Sequence, residues 1–422
     1  MQPKLIAGIT FLAVYVMLVS HKGKPPVVVW CGAAVMLITG VISFSEAVES
    51  INVNVLGIFL GTMIISDLLI HSNLPAYLAS LLVTPGRSAA GAVMAVCLLS
   101  GGISAFVDNV ATVLMVVPIA IEVSKQLEVT PVPFIIGIAV SANLQGAATL
   151  VGDSTSILLA SAAKMTFTDF FWMNGRPGIF FSVQAGAIAA FSILYLVFRK
   201  IYKGSCGAVE TVHVTSWVPT VIMLMMMGTM AVSSFIPDRP DWALGAIAMG
   251  YALFALLWNA LTAYKHVDLR HDLDWSTVLL LCGLFIVVGS LTSTGLVMDM
   301  ANIISNLAKG NAFRAYITIV WMSVLVSAFV DNIPFTMAML PTAQIVANSL
   351  GTSPYVMMFG LLLGATLGGN ITPIGASANI AAVSLLRREG YDVSFPEFLR
   401  IGLPFTLAAV ITGSLVNWII WS

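Results

Sequence analysis

Charge is what this chain has least of: charged residues make up 9% of it and hydrophobic residues 59%. A soluble domain carries about 25% charged residues. Nearly the whole chain must therefore sit in lipid or in protein, which reads as a polytopic membrane protein. No polar stretch is long enough for a separate soluble domain. The net charge of −1 argues against a nucleic-acid partner. Cysteine is sparse as well. Cys31, Cys97, Cys206 and Cys282 form no C-x-x-C pair, and three lie in apolar runs, so buried packing thiols are expected. No G-x-S-x-G, H-E-x-x-H or P-loop pattern occurs, so an enzyme is not expected. A single charge, Lys4, precedes the first apolar run, and no small-residue cleavage pattern follows. That run reads as a retained helix.

What is present is a repeat. Ser104-Ala-Phe-Val-Asp108-Asn109 recurs 223 residues later as Ser327-Ala-Phe-Val-Asp331-Asn332. Gly61 and Leu74 match Gly283 and Leu296 at an offset of 222, and Gly152-Asp153-Ser154 matches Gly375-Ala376-Ser377 at 223. The expected architecture is all-α. Two inverted five-crossing repeats each carry a re-entrant helical hairpin and a broken transmembrane helix. The first repeat spans 1–203, with its hairpin at 89–124 and its broken helix at 133–165. A linker follows at 204–215. The second repeat spans 216–422, with its hairpin at 312–349 and its broken helix at 354–387. Five crossings is an odd number, so the second half is inverted relative to the first. Twelve of the 18 Lys and Arg residues then fall on one side, which is read as cytoplasmic, leaving both termini outside.

The chemistry is expected where helices are interrupted. Gly and Pro clusters break the runs around Gly152 and around Gly368–Gly375. Irregular backbone at membrane depth survives only where it lines a protein-buried or watery cavity. Paired breaks in two halves point to a transporter site. Asp108-Asn109 and Asp331-Asn332 sit where a hairpin arm restarts, so Asp and Asn are also expected to cap free N–H groups there. Asp153 is a third buried acid, and its partner position holds Ala376. Asn143, Ser154, Thr155 and Ser156 add neutral ligands in the first half, and Asn370, Thr372, Ser377 and Asn379 add them in the second. An acid at the bilayer centre costs about 2.5–3.5 kcal/mol on insertion scales, so such acids are read as functional. The same segments contain no Lys, Arg or His, which favours a cation or protons. Oxygen ligands suit a hard cation such as sodium, held by Asp108, Asp153 and Asp331. No organic cofactor is expected. Asp67 is read either as a pathway residue or as an interfacial one. The loop with His266 and His271 reads as solvated.

These motifs resemble the ion transporter superfamily, in its branch of arsenite-efflux permeases (ArsB type), NhaD-type sodium/proton antiporters and melanosomal P proteins. The likeness covers residues from about 50 to 405. It rests on both Ser-Ala-Phe-Val-Asp-Asn strings, on Gly152-Asp153-Ser154-Thr155, and on Gly364 to Asn370 running into Ile374 to Asn379. The resemblance implies a homodimer with an elevator-like transport domain. It also implies site roles for Asp108, Asn109, Asn143, Asp153, Thr155, Ser327 and Asn332. The expected function is exchange of sodium or lithium for protons. The alternatives are proton-driven arsenite or antimonite efflux, cation-coupled uptake of a carboxylate or oxyanion, and a passive channel. The expected partners are the bilayer, a small inorganic ion and protons, in a prokaryotic inner membrane.

Overall fold

The computed structural model describes residues 3–20, 23–207, 212–265 and 273–422. Among the described residues the regular structure is helical apart from one short antiparallel pair, Trp172–Met173 with Arg176–Pro177, and an isolated bridge between Ser88 and Ser205. Seven helices are long and apolar enough to cross a membrane, and seven shorter apolar helices accompany them among the described residues. This is an all-α polytopic membrane protein.

The two halves build matching elements from matching signals. Val53–His71 and Trp275–Ser293 are corresponding long helices. Asn52 caps the first by accepting from the Val55 N–H, and Asp274 caps the second by accepting from the Thr277 N–H. The next long pair is a hairpin in each half. Its first arms, Ala89–Ser104 and Ala312–Ser327, are capped by Ser88 and Asn311. Its second arms are Asn109–Gln126 and Asn332–Ser349. Each second arm carries an internal proline, Pro118 or Pro341, at the same register. The interrupted helices follow. Val132–Gly146 resumes as Ser154–Ala162, and Pro354–Gly368 resumes, after a 3-10 turn at Gly369–Ile371, as Ser377–Arg388. Each half closes on a long helix, Ile179–Ile201 or Phe395–Trp421.

Small residues let these helices approach, as packing in lipid requires. A Cβ on Gly57 would lie 3.0 Å from the Gly245 Cα, so Val53–His71 and Ala243–Thr262 touch backbone to backbone. The closing helices touch reciprocally: Gly186 faces the Ala409 carbonyl, and Gly413 faces the Ser182 carbonyl.

Three elements depart from the expected spans. The apolar stretch 26–44 is not one helix. It ends at Ile38, and a separate helix Phe44–Ser50 starts from a capping box between Ser43 and Glu46. Short helices Leu74–Leu82 and Leu296–Ala308 follow the long ones, outside the expected hairpins and breaks. Cys97 and Cys206 are buried thiols, but Cys31 is exposed. His266 and His271 lie outside the described residues.

Candidate functional site

Each hairpin tip must satisfy the free N–H groups of a helix that restarts inside the protein. The Asp108 Oδ2 accepts from the Val110 and Ala111 amides at 2.9 and 3.1 Å. The Asp331 Oδ1 accepts from the Ile333 amide at 3.0 Å, and its Oδ2 accepts from the Ser377 hydroxyl at 3.2 Å. Capping is thus a real part of what both aspartates do. Each engages the helix start through one oxygen.

Each tip is fastened to the break of its own half. The Thr149 hydroxyl donates to the Ala105 carbonyl, and the Thr372 hydroxyl donates to the Ala328 carbonyl. These are the same bond made twice, 223 residues apart. The breaks are fastened to each other by buried amides. The Asn143 Nδ2 donates to the Thr366 carbonyl at 2.8 Å and to the Asn370 Oδ1 at 3.0 Å. The Asn370 Nδ2 donates back to the Val140 carbonyl at 3.1 Å. Replacing Thr149 or Thr372 by Val strands a buried carbonyl. Each is expected to cost about 1–3 kcal/mol, read as a lower thermal midpoint in detergent and of similar size for both.

Between tips and breaks lies a cavity of about 200 Å³. That is room for on the order of six waters at ~30 Å³ each. Asp153 sits in its wall, 7% exposed. The Thr155 hydroxyl donates to its Oδ2 at 2.7 Å, the Ser154 hydroxyl to its Oδ1 at 3.2 Å, and Asn332, from the opposite hairpin, to Oδ2 at 3.4 Å. Asp108 and Asp274 share the wall, as does Asp67. Among the described residues no three Asp, Glu, His or Cys side chains gather as a metal cluster. Asp108, Asp153 and Asp331 are not gathered into one such cluster. Asp331 is not among the cavity-lining residues.

The expected site residues divide by role. Asp108, Asn109, Asn143, Asp153, Ser154, Asn332 and Ser377 line the cavity. The others hold the backbone around it. The Ser327 hydroxyl donates to the Ala365 carbonyl, and Ser156 donates to the Gly146 carbonyl at 3.3 Å. Asn379 donates to the Gly369 and Thr372 carbonyls, both at 3.0 Å. Asn370 and Thr372 act as described above, and Thr155 also meets the Thr366 hydroxyl at 2.9 Å.

Two residues outside the expected set bear on the site. The tip and break segments hold no basic residue, but a lysine from outside them pairs with the cavity-lining Asp67: the Lys265 Nζ reaches it at 2.8 and 3.0 Å. Lys265 comes from a loop after Ala243–Thr262, remote in sequence from any break. Asp274, at the end of the loop that holds His266 and His271 and reads as solvated, lines the cavity. Its only sequence signal is the N-cap pattern with Thr277.

A further cavity lies at the other end of the same helices. Asn54 and Ile58 line it from Val53–His71, and Ala160 and Ser161 line it from Ser154–Ala162. Asp67 and Asn54 are thirteen residues apart, or about 20 Å along a helix. Two cavities thus face opposite ends of one helix pair.

The comparisons with known proteins fix the family. A family model described as citrate transporter (CitMHS) matches residues 15–364. An uncharacterized transporter of Mycobacterium tuberculosis is 30% identical over 98% of this chain and 98% of its own length. The human P protein is 24% identical over 88% of this chain and 54% of its own length. The fold is that of the Alcanivorax borkumensis YdaH transporter, with a TM-score of 0.62 at 13% identity over 99% of this chain and 98% of that one. These findings overturn the placement in the ArsB/NhaD branch, and arsenite efflux with it. The physical reason is visible in the site. The motifs behind that placement encode helix caps, pins and close approaches, which build tips and breaks whatever the cargo. The protein is a secondary active membrane transporter of small solutes or ions and not an enzyme, and the chain belongs to the citrate transporter (CitMHS) family.

Proposed function

We propose that this chain carries a small carboxylate across the membrane together with a cation. The observation that carries the reading is the cavity at the meeting point of tips and breaks, walled by Asp67, Asp108, Asp153 and Asp274. A carboxylate entering alone would be repelled, and the repulsion is strong where water is excluded. A cation entering with it neutralises the wall. The donors that line the cavity are carboxylate, amide and hydroxyl oxygens, which suit a hard cation such as sodium or magnesium. The family description names citrate, an anion of the right class. Asp153, Asp108 and Asp67 are the cation-binding acids in this reading. Ser154, Asn332 and Ser377 are neutral ligands or orienters.

The two halves act as inverted repeats whose hairpins are re-entrant. Support comes from reciprocal contacts such as Gly186 with Ala409 and Gly413 with Ser182. In such pairs residue i of one half meets j of the other and j meets i, as a two-fold relation requires. Transport then opens the site alternately to the two sides of the membrane. A homodimer, with both termini outside a bacterial inner membrane, completes the proposal.

The test uses purified protein in liposomes containing a pH dye. Citrate is pulsed with sodium, potassium or magnesium, and sodium or lithium is pulsed alone. Flux is expected only when carboxylate and cation are both present. Proton movement driven by sodium or lithium alone would replace this reading with cation/proton exchange on the same aspartates. Citrate flux that ignores the cation gradient would remove the cation from the mechanism and overturn this reading.

A further inference from the structure

One charged pair joins the cavity-lining Asp67 to Lys265 and has no role in building the tips or the breaks. Asp67 lies on Val53–His71 and lines the cavity. The Lys265 ammonium donates to both of its oxygens, at 3.0 and 2.8 Å. The two side chains are 14% and 11% exposed. Burying such a pair is a poor way to add stability, because well-packed apolar residues of similar size often do as well or better. Lys265 is nevertheless held with care. The chain reverses through Ala263 in the left-handed region (φ 47°). Buried Asn259 then clamps the Lys265 backbone from both sides: its Oδ1 accepts from the Lys265 N–H and its Nδ2 donates to the Lys265 carbonyl, each at 3.0 Å. The ammonium is thereby aimed across a helix interface at the cavity wall.

A second observation points to a ligand at the same place. Ser66, beside Asp67, lines the cavity and is 2% exposed, and its hydroxyl has no hydrogen-bond partner. A buried hydroxyl without a partner costs free energy unless something fills its valence. The other cavity-lining hydroxyl on this helix, Thr62, is satisfied by the Ile58 carbonyl at 2.8 Å. His71, one turn further on, places Nδ1 2.9 Å from the Asp67 carbonyl.

We propose that Ser66, Asp67 and Lys265 form a latent anion subsite, in which Asp67 stands in for the substrate carboxylate. When a cation occupies Asp67, the ammonium transfers its hydrogen bonds to a carboxylate of the substrate, and the Ser66 hydroxyl donates a further bond. The cation and the anion then enter together because each removes the other's obstacle. The inference rests on the carboxylate reading given above and adds the residue that recognises the anion. It also explains how a cavity walled by acids accepts an anion.

Partners in a purely structural ion pair would be damaged alike, whereas partners in this subsite act with opposite sign. Asp67→Asn removes the carboxylate that competes with the substrate for the Lys265 ammonium. It is expected to tighten citrate binding about tenfold and to weaken its dependence on sodium or magnesium. Lys265→Gln is expected to weaken citrate binding about tenfold or more. Ser66→Ala is expected to weaken it severalfold. Citrate affinity is measured by calorimetry on purified protein at fixed cation concentration, and each variant's thermal midpoint is recorded. The double variant D67N/K265Q, which removes both charges, guards against a folding defect. It is expected to fold and to bind citrate weakly and without the cation dependence that Asp67 confers. Single variants that shift citrate affinity in the same direction, or not at all, while the wild type binds citrate, would overturn the subsite alone. A wild type that binds and moves no carboxylate would overturn the carboxylate reading, and the subsite with it.

Discussion

Asp153→Asn is expected to leave the fold intact and to lower cation-coupled flux by about two orders of magnitude. The structure contains its own control for the first half of that statement. The residue at the same position of the second break is Ala376, and the two backbones agree closely: φ and ψ are −146° and 149° at Asp153 and −143° and 146° at Ala376. Asp153 makes no side-chain cap for the half-helix that it precedes. The break can therefore be built without an acid. What Asp153 contributes is charge, 7% exposed and fed by the Thr155 and Ser154 hydroxyls. Asn keeps the shape and can still accept from Thr155. It removes the charge, and losing one partner of a buried charge pair costs roughly 2–5 kcal/mol. The measurements are flux in liposomes and a thermal melt. A variant with wild-type coupling would remove Asp153 from the mechanism. Asp108 is a different case. Its carboxylate also caps a helix, so Asp108→Ala should lose about 0.5–2 kcal/mol of stability as well as function.

The elements visible from sequence were those announced by periodicity and breakers. Val53–His71 is one such element, an apolar run of 19 residues that starts after Asn52, whose side chain the structure shows as its cap. The breaks could be placed because Gly and Pro cluster where an otherwise continuous run should go on. Thr149 and Thr372 stand at the same offset of 223 that relates Gly152 to Gly375, and each makes the same hydrogen bond to its hairpin tip. Other features carry no such mark. Leu74–Leu82 and Leu296–Ala308 are short, and nothing separates them by composition from the helices they follow. The Asp67–Lys265 pair joins residues 198 apart through a chain reversal, and no local pattern announces it. The cargo was misread at the level of the family branch. Asp-Asn tips and Gly-rich breaks report how the backbone is closed, and they say little about which ion or acid fills the space inside.

Gly152→Ala and Gly375→Ala are expected to be nearly equal in effect, and both should abolish transport. A Cβ on Gly152 would stand 2.7 Å from the Gly146 carbonyl oxygen and 2.8 Å from the oxygens of Ala105 and Ser104. A Cβ on Gly375 would stand 2.6 Å from the Gly369 oxygen and 2.9 Å from the Ala328 oxygen. Every one of these atoms is backbone, so no side chain can swing aside. Each glycine lies where the break presses on the tip of its own hairpin, and the threonine pin crosses the same gap. A methyl group there must push the tip away from the break or break that pin. Overpacking of this kind costs about 1–3 kcal/mol in stability. The same displacement moves Asp108 or Asn332 out of register with Asp153, so flux should fall further than the stability change alone implies. Gly102 supplies the contrast. It lies in the first hairpin arm with nothing within 4 Å of its hypothetical Cβ, so Gly102→Ala should be neutral or slightly stabilising, by about 0.5–1 kcal/mol. Thermal midpoints and citrate flux for the three variants decide the matter. If one of Gly152 and Gly375 tolerated alanine while the other did not, the two halves would not close their sites by one common device.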